Sequence, residues 1–178
     1  MNTVDVIANV KSTIRSVNDF PKPGIVFRDI TTALKEPEVL REMIDYLCDQ
    51  FKDVKIDYIA GIESRGFIFG MPMAYKLNAG FVPIRKPNKL PAETLSQEYS
   101  LEYGTDKIEI HTDAIKEGDN VLIVDDLLAT GGTAEAACKL IKKTGGNLVG
   151  IAFLIELKDL NGRAKFDKDL KVVSMLQY

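Results

Sequence analysis

The stretch Val121-Leu-Ile-Val-Asp-Asp-Leu-Leu-Ala-Thr-Gly-Gly-Thr133 decides the reading of this chain. Four apolar residues run into two acids, then into a small glycine-bearing turn, then into the helical pattern Ala134-Glu-Ala-Ala-Cys-Lys-Leu-Ile141. This predicts a buried strand, a loop at its carboxyl end, and a helix whose N-terminus opens on that loop. Open α/β sheets bind ligands at that end of their strands. Unpaired N–H groups at a helix start, beside glycines that admit a ligand, make an anion site suited to phosphate. Asp125 and Asp126 cannot serve a phosphate, because like charges repel, but they are good acceptors for a pair of hydroxyls. A phosphate beside a diol describes ribose 5-phosphate.

Other phosphate folds fit less well. The loop lacks the lysine with which a Walker A motif reaches the β- and γ-phosphates. The second glycine pair, Gly61-Ile-Glu-Ser-Arg-Gly66, has similar spacing but continues as Phe67-Ile68 and fails the same test. No G-x-G-x-x-G follows a strand, which leaves a dinucleotide fold unsupported.

Outward from the signature, strands and helices alternate, which implies a largely parallel sheet covered on both faces. Residues 4–17 read as an amphipathic helix with Val6, Val10, Ile14 and Val17 at helical spacing. Residues 20–30 carry Pro21, Pro23 and Gly24 and read as a shaped loop, and residues 37–51 as a helix with Pro37 at its first position. A strand over 56–62 precedes a helix over 67–77, and residues 80–85 form the next strand. Residues 86–97 read as a loop, 99–103 and 107–111 as a hairpin across Gly104-Thr105, and 148–156 and 172–176 as the closing strands.

Composition sets the frame. The 178 residues fit one domain with a real core, and 46% hydrophobic with 28% charged residues is ordinary globular composition. A net charge of −3 gives no bulk attraction to nucleic acid. The opening Met1-Asn-Thr-Val-Asp5 lacks the apolar core of a secretory signal, and no apolar run approaches the roughly 18 residues of a membrane span. The expectation is a soluble, cytoplasmic protein without membrane or nucleic-acid partners. Cys48 and Cys138 lie in helical patterns and read as buried thiols, and with a single histidine they are too few for a closed zinc site.

Four groups of residues could carry chemistry. Ser64, Arg65 and Gly66 leave a strand end beside the signature loop, and a hydroxyl, a guanidinium and open N–H groups fit a diphosphate, although a lone arginine also serves as a structural ion pair. Arg85, Lys86 and Lys89 form a cationic cluster suited to a pyrophosphate leaving group, or else a solvated basic face. In Tyr99-Ser-Leu-Glu-Tyr103, alternation puts Tyr99, Leu101 and Tyr103 on one face and Ser100 and Glu102 on the other, as in a half-exposed edge strand. In the proline-rich loop, Phe27 reads as a core residue. His111 receives no role.

The signature resembles the phosphoribosyl-diphosphate motif of the type I phosphoribosyltransferases. Three further stretches are similar to the branch of that family that takes adenine: Phe20-Pro-Lys-Pro-Gly-Ile-Val-Phe-Arg-Asp-Ile30, Glu63-Ser-Arg-Gly-Phe67, and Arg85-Lys86 followed through Lys89 to Tyr99-Ser-Leu-Glu-Tyr-Gly104. Their order fits from near Arg15 to Tyr178. The resemblance implies a single domain over 1–178, a largely parallel twisted sheet flanked by helices. An N-terminal helix and base-binding hood would occupy 1–35, and an α/β core 36–178, with a mobile active-site loop over 86–111. It implies Mg²⁺-dependent transfer of the phosphoribosyl group from 5-phosphoribosyl 1-diphosphate to N9 of adenine, giving AMP and pyrophosphate in purine salvage. The transition state would resemble an oxocarbenium ion, and no covalent nucleophile is required.

The same resemblance assigns roles. Asp125 and Asp126 would hold the 2′ and 3′ hydroxyls, directly or around magnesium, and Ala129, Thr130, Gly131, Gly132 and Thr133 the 5-phosphate. Ser64 and the catalytic Arg65 would hold pyrophosphate, with a non-proline cis peptide at Glu63–Ser64. Arg85, Lys86 and Lys89 would contact the same group, and the metal would be held mainly by the diphosphate. Val26 would read the N1/N6 edge of adenine through its backbone, Phe27 would stack on the base, and Arg28 would contact its far edge. Glu102 would act near N7 as acid or base, or only orient the base, while Tyr103 covers the reacting centre on a closing loop. A homodimer is also implied. A transferase for 6-oxopurines or pyrimidines would share the signature but not the 26–28 and 99–104 matches. A phosphoribosyl-diphosphate sensor would bring a DNA-binding segment and a basic surface, which this chain lacks.

Overall fold

The protein, seen in a computed structural model that describes residues 3–100 and 104–178, begins with helix α1 (Thr3–Thr13) and an antiparallel pair, β1 (Arg15–Asn18) and β2 (Val26–Asp29). The expected helix over 4–17 therefore stops short, and Val17 stands in β1 opposite Phe27. Thr32 explains the stop: its hydroxyl donates to the Thr13 carbonyl at 2.6 Å and accepts from the Arg15 N–H at 3.1 Å, so a tertiary partner takes over where the helix would continue. The proline-rich stretch is a turn only as far as Ile25, with Phe20–Pro21 cis and the Asp19 carboxylate accepting from the Gly24 N–H at 2.7 Å. Beyond it the chain returns as β2, a short strand that alternation alone did not reveal.

A single helical turn, α2 (Thr31–Leu34), leads to α3 (Pro37–Asp49), with proline at its start as expected. Then follow β3 (Tyr58–Ile62), α4 (Gly66–Lys76), β4 (Gly80–Ile84), the hairpin strands β5 (Thr94–Ser100) and β6 (Thr105–His111), β7 (Asn120–Leu128), α5 (Gly132–Lys143), β8 (Asn147–Glu156) and β9 (Val172–Gln177). Two 3₁₀ turns, Lys158–Leu160 and Gly162–Lys165, fill the β8–β9 connection. The five-stranded sheet has the order β4-β3-β7-β8-β9, parallel throughout. From β3 the chain winds outward to β4, then crosses to β7 and winds the other way. The carboxyl ends of β3 and β7 therefore flank the point where the winding reverses, which is where such sheets open a crevice.

The apolar run of the signature strand is buried on both faces, as parallel strands require. Leu122 and Val124 pack with Met43, Leu47 and Phe51 from α3 and its following turn, and with Phe69 and Met73 of α4. Val121 and Ile123 pack on the other face with Ile108 and Ile110 of β6 and Leu140 and Ile141 of α5. Each of these large side chains contributes about 1.5–3 kcal/mol of transfer free energy when removed from water.

The hairpin differs from expectation in its register. The stretch expected to be a loop over 86–97 gives way to β5 at Thr94, and pairing runs from Thr94 opposite His111 to Ser100 opposite Thr105. Tyr99 is almost fully buried against the second core cluster, which anchors the hairpin to α5. Tyr178 ties the N-terminal elements to the core. Its ring lies 4.0 Å from the Arg28 guanidinium and 4.8 Å from the Lys11 ammonium, while its N–H donates to the Glu156 carbonyl at 3.0 Å. Among the described residues no helix is long and apolar enough to cross a membrane.

Candidate active site

The two glycine-bearing loops meet because Gly66 has no side chain. A Cβ there would lie 2.7 Å from the Val124 carbonyl and 3.1 Å from Asp125 Oδ1, so only glycine lets the start of α4 rest on the end of β7. This seats residues 63–66 beside residues 125–133. Glu63–Ser64 is cis, as the family resemblance implied. Ser64 is exposed, and the Arg65 Nε donates to Asp126 Oδ2 at 2.8 Å.

The two adjacent acids sit in unlike surroundings. Asp125 Oδ1 accepts the Asp126 N–H at 2.8 Å, and burial, reinforced by the Asp126 charge, pushes its carboxyl well above the ordinary carboxylate range. Burial also raises the Asp126 carboxyl, and the Arg65 guanidinium pulls it partly back. Gly131 caps α5 at φ +80°, a left-handed conformation that glycine takes without steric cost, and Gly131 and Gly132 are buried while Thr130 is exposed. The first N–H groups of α5 have no intrahelical acceptor, so residues 129–133 present open donors at a helix start, the kind of place where an anion cradle was expected.

Arg65 also faces the N-terminal elements: its guanidinium lies 5.7 Å from the centroid of Phe27, which meets Phe20 edge-on at 5.3 Å. The ring expected to stack on a base is thus joined, through one guanidinium, to the carboxylate expected to hold the sugar. Val26 is exposed on the same short strand. The Arg28 side chain goes elsewhere, donating to the Ser16 hydroxyl and lying over Tyr178.

Two of the basic trio, Arg85 and Lys86, are engaged within the protein. Arg85 forks onto Glu63 at 3.0 and 3.1 Å and reaches the Lys89 carbonyl at 3.1 Å. Glu63 also accepts the Lys86 N–H at 3.0 Å, and chiefly the Arg85 bonds hold its carboxyl below its usual value. The Lys86 ammonium donates to Asp106 and, at 2.8 Å, to the Tyr99 hydroxyl. Burial pulls its pKa down, but those two partners outweigh burial and raise it. Lys89 is exposed. Sequence reasoning missed Glu63 and Asp106 as the partners of Arg85 and Lys86. The available signal was the placement of Glu63 beside an expected diphosphate loop, where an acid is tolerable only when a cation neutralises it.

Glu102 and Tyr103 lie outside the described residues. The hairpin that carries them is rooted at the phosphate loop, since a Cβ on Gly132 would meet the Ser100 carbonyl at 3.4 Å and the Tyr99 ring at 3.7 Å. Among the described residues no three His, Cys, Asp or Glu side chains converge as a metal cage.

Known proteins share this arrangement of elements. A family model described as a phosphoribosyl transferase domain matches residues 30–177. The adenine phosphoribosyltransferase of Nostoc punctiforme is 58% identical over 172 residues, covering 96% of this chain and 99% of that protein. The crystal structure of adenine phosphoribosyltransferase from Thermoanaerobacter pseudethanolicus superimposes with a TM-score of 0.93 at 52% identity, covering 97% of this chain and 99% of that one. The Saccharomyces cerevisiae enzyme of the same name, solved with D-2,5-dideoxy-2,5-imino-altritol 1,6-bisphosphate and adenine, gives 0.91 at 41% identity with the same coverage.

Proposed function

The chain belongs to the adenine phosphoribosyltransferases of the type I phosphoribosyltransferase family, and on that premise we propose how its site performs the transfer. The protein moves the 5-phosphoribosyl group of 5-phosphoribosyl 1-diphosphate to N9 of adenine, giving AMP and pyrophosphate in purine salvage. The C1–O bond to the diphosphate breaks with its electron pair leaving on pyrophosphate. The N9 lone pair forms the new C1–N bond, and the N9 proton is lost. Positioning two substrates and stabilising separating charge are therefore the protein's tasks.

Residues 129–133 cradle the 5-phosphate with helix N–H groups, and Asp125 and Asp126 accept from the ribose hydroxyls. The backbone at Ser64 and the Arg65 guanidinium face the diphosphate. Arg85 orients that loop through Glu63, and Lys86 and Lys89 add positive charge around it. A diphosphate entering the crevice competes with Asp106 for the Lys86 ammonium. Phe27 stacks on adenine, the Val26 backbone reads its amino edge, and Arg28 braces the strand that carries both. The roles of Glu102 near N7 of the base and of Tyr103 in excluding water from the ribosyl centre rest on the family resemblance alone. The adjacent Asp125 and Asp126 carboxylates, with the hard oxygens of the diol and diphosphate, suit a magnesium ion held mainly by the substrate. Such an ion, when bound, neutralises charge on the departing pyrophosphate.

The observation that carries this reading is the meeting of Asp126, Arg65 and Phe27, which joins a sugar carboxylate to a base-stacking ring. The test is pyrophosphate release with Mg²⁺ and 5-phosphoribosyl diphosphate, comparing adenine, hypoxanthine, guanine and no base. Turnover with adenine alone is expected. Turnover with hypoxanthine or guanine instead overturns the assignment of residues 26–28.

We also infer a cytoplasmic homodimer. Ile68, Met71 and Tyr75 expose 41%, 57% and 91% of their surface along one face of α4, beside the apolar groove of Leu40, Ile44 and Pro72. A second copy covers this face, and because α4 springs from the diphosphate loop, its partner lies next to the site. The cytoplasm retains phosphorylated substrates, whose charge opposes crossing a membrane.

A further inference from the structure

The β8–β9 connection lies directly against the phosphate loop. A Cβ on Gly162 would overlap the Ala129 carbonyl oxygen and come within 2.9 Å of the Gly131 nitrogen. Conversely, a Cβ on Gly131 would lie 2.6 Å from the Gly162 carbonyl oxygen. Two bare backbones therefore touch, and the path of one sets the path of the other. Gly131 is the residue whose left-handed conformation opens α5.

The neighbour of Gly162 is what holds it there. The Arg163 Nε donates to Glu156 Oε1 at 3.0 Å, and its Nη2 donates both to Glu156 Oε2 and to the Ser174 hydroxyl, the latter at 3.2 Å. Its Nη1 donates to the Val172 carbonyl at 2.8 Å. Glu156, the last residue of β8, is 5% exposed, and chiefly the Arg163 bonds hold its carboxyl below its usual value. A forked guanidinium–carboxylate pair whose acid is buried fixes orientation more strictly than either group alone. Two further ties bracket the phosphate loop: the Leu157 N–H donates to the Leu128 carbonyl at 2.9 Å, and Lys165 lies 3.6 Å from Glu135 in the first turn of α5. The Arg163 side chain makes none of these contacts with the loop itself, so its influence passes through Gly162.

We propose that Arg163, locked by Glu156, is a positioning residue for ribose-phosphate binding, acting through the Gly162 backbone on residues 129–131. This rests on the reading of residues 129–133 as the 5-phosphate cradle. A loop displaced by a fraction of an ångström presents its N–H groups off the phosphate oxygens, which weakens 5-phosphoribosyl diphosphate and leaves adenine untouched.

The test is steady-state kinetics with each substrate varied in turn, beside thermal melting, on Arg163→Lys, Glu156→Gln, Gly162→Ala and, as a probe of the cradle, Thr130→Asp. The expected result for the first three is a KM for 5-phosphoribosyl diphosphate raised about 10- to 100-fold, with the adenine KM and kcat within about twofold of the parent. Arg163→Lys keeps the charge and loses only the fork, so it reports geometry even if Gly162→Ala fails to fold. If Thr130→Asp raises that KM while Arg163→Lys and Glu156→Gln change only the melting temperature, the pair is a structural brace and the proposal is overturned. If Thr130→Asp leaves the KM unchanged, the cradle assignment falls and the proposal falls with it.

Discussion

Replacing Asp126 with asparagine separates what this carboxylate does for catalysis from what it costs the fold. Asn keeps the volume and the hydrogen-bonding outline but removes the charge. A hydrogen bond to a charged acceptor contributes about 1.5–3 kcal/mol. At roughly 1.4 kcal/mol per decade, its loss lowers kcat/KM for 5-phosphoribosyl diphosphate by about 10- to 150-fold. Stability should move the other way. Burial raises both the Asp125 and Asp126 carboxyls above the ordinary carboxylate value. An acid whose folded pKa is raised favours the fold while protonated, and that contribution is lost as pH climbs through the folded value. Rising pH therefore works against the folded wild-type pair, and removing one of the two charges relieves it. Arg65 is 39% exposed and can turn to solvent when its partner is neutral. Pyrophosphate release at saturating adenine, paired with calorimetry, reads both quantities. Unchanged kinetics refute the sugar role. A melting temperature lowered by several degrees refutes the electrostatic reasoning and makes the Arg65–Asp126 pair a net stabiliser.

Three other outcomes are open to simple assays. Phe27→Ala should raise the adenine KM about 10-fold or more, since aromatic stacking on a base contributes about 1–3 kcal/mol, with the 5-phosphoribosyl diphosphate KM little changed; equal effects on both substrates would place the ring outside the base site. Burial pushes the Cys48 thiol to about 11 and the Cys138 thiol to about 12, so both stay protonated at pH 8. A thiol-disulfide reagent should then count no reactive cysteine until denaturant is added, and prompt reaction of either would contradict its burial. Tyr75→Asp should convert a dimer to a monomer by sedimentation, and a dimer that persists in the variant rules out the α4 face as the interface.

The sequence was most legible where one signal was sufficient. Residues 121–124, apolar without interruption, read as a strand buried on both faces, and Gly131-Gly132 before an amphipathic pattern marked the start of α5. The Glu63–Ser64 turn and the Asp125–Asp126 pair came from motif and resemblance together. What stayed hidden depended on partners distant along the chain. Val17 fits helical spacing, yet Thr32 ends α1 before it and pairing with Phe27 makes it a strand. Arg85 looked like a free cation because its partner, Glu63, lies on the neighbouring strand's loop. Arg28 looked directed at the base, but strand geometry sends neighbouring side chains to opposite faces, and Phe27 takes the inner one. The short pair β1–β2 and the earlier start of the hairpin, at Thr94, depend on pairing that single-strand alternation does not encode.

The stack of Arg28 on Tyr178 also says something about how the protein is made. Two residues 150 positions apart in the chain, the count from 28 to 178, hold β2 to the sheet. During synthesis the N-terminal elements can dock on α3 as soon as it forms, through Asn9 on Glu42 and the shared core of Val10, Ile14 and Ile30, while the Tyr178 contact waits for β9. The Arg28–Tyr178 stack is thus a late latch on β2, and replacing Tyr178 would leave α5 and its opening loop in place while β2 loses that brace.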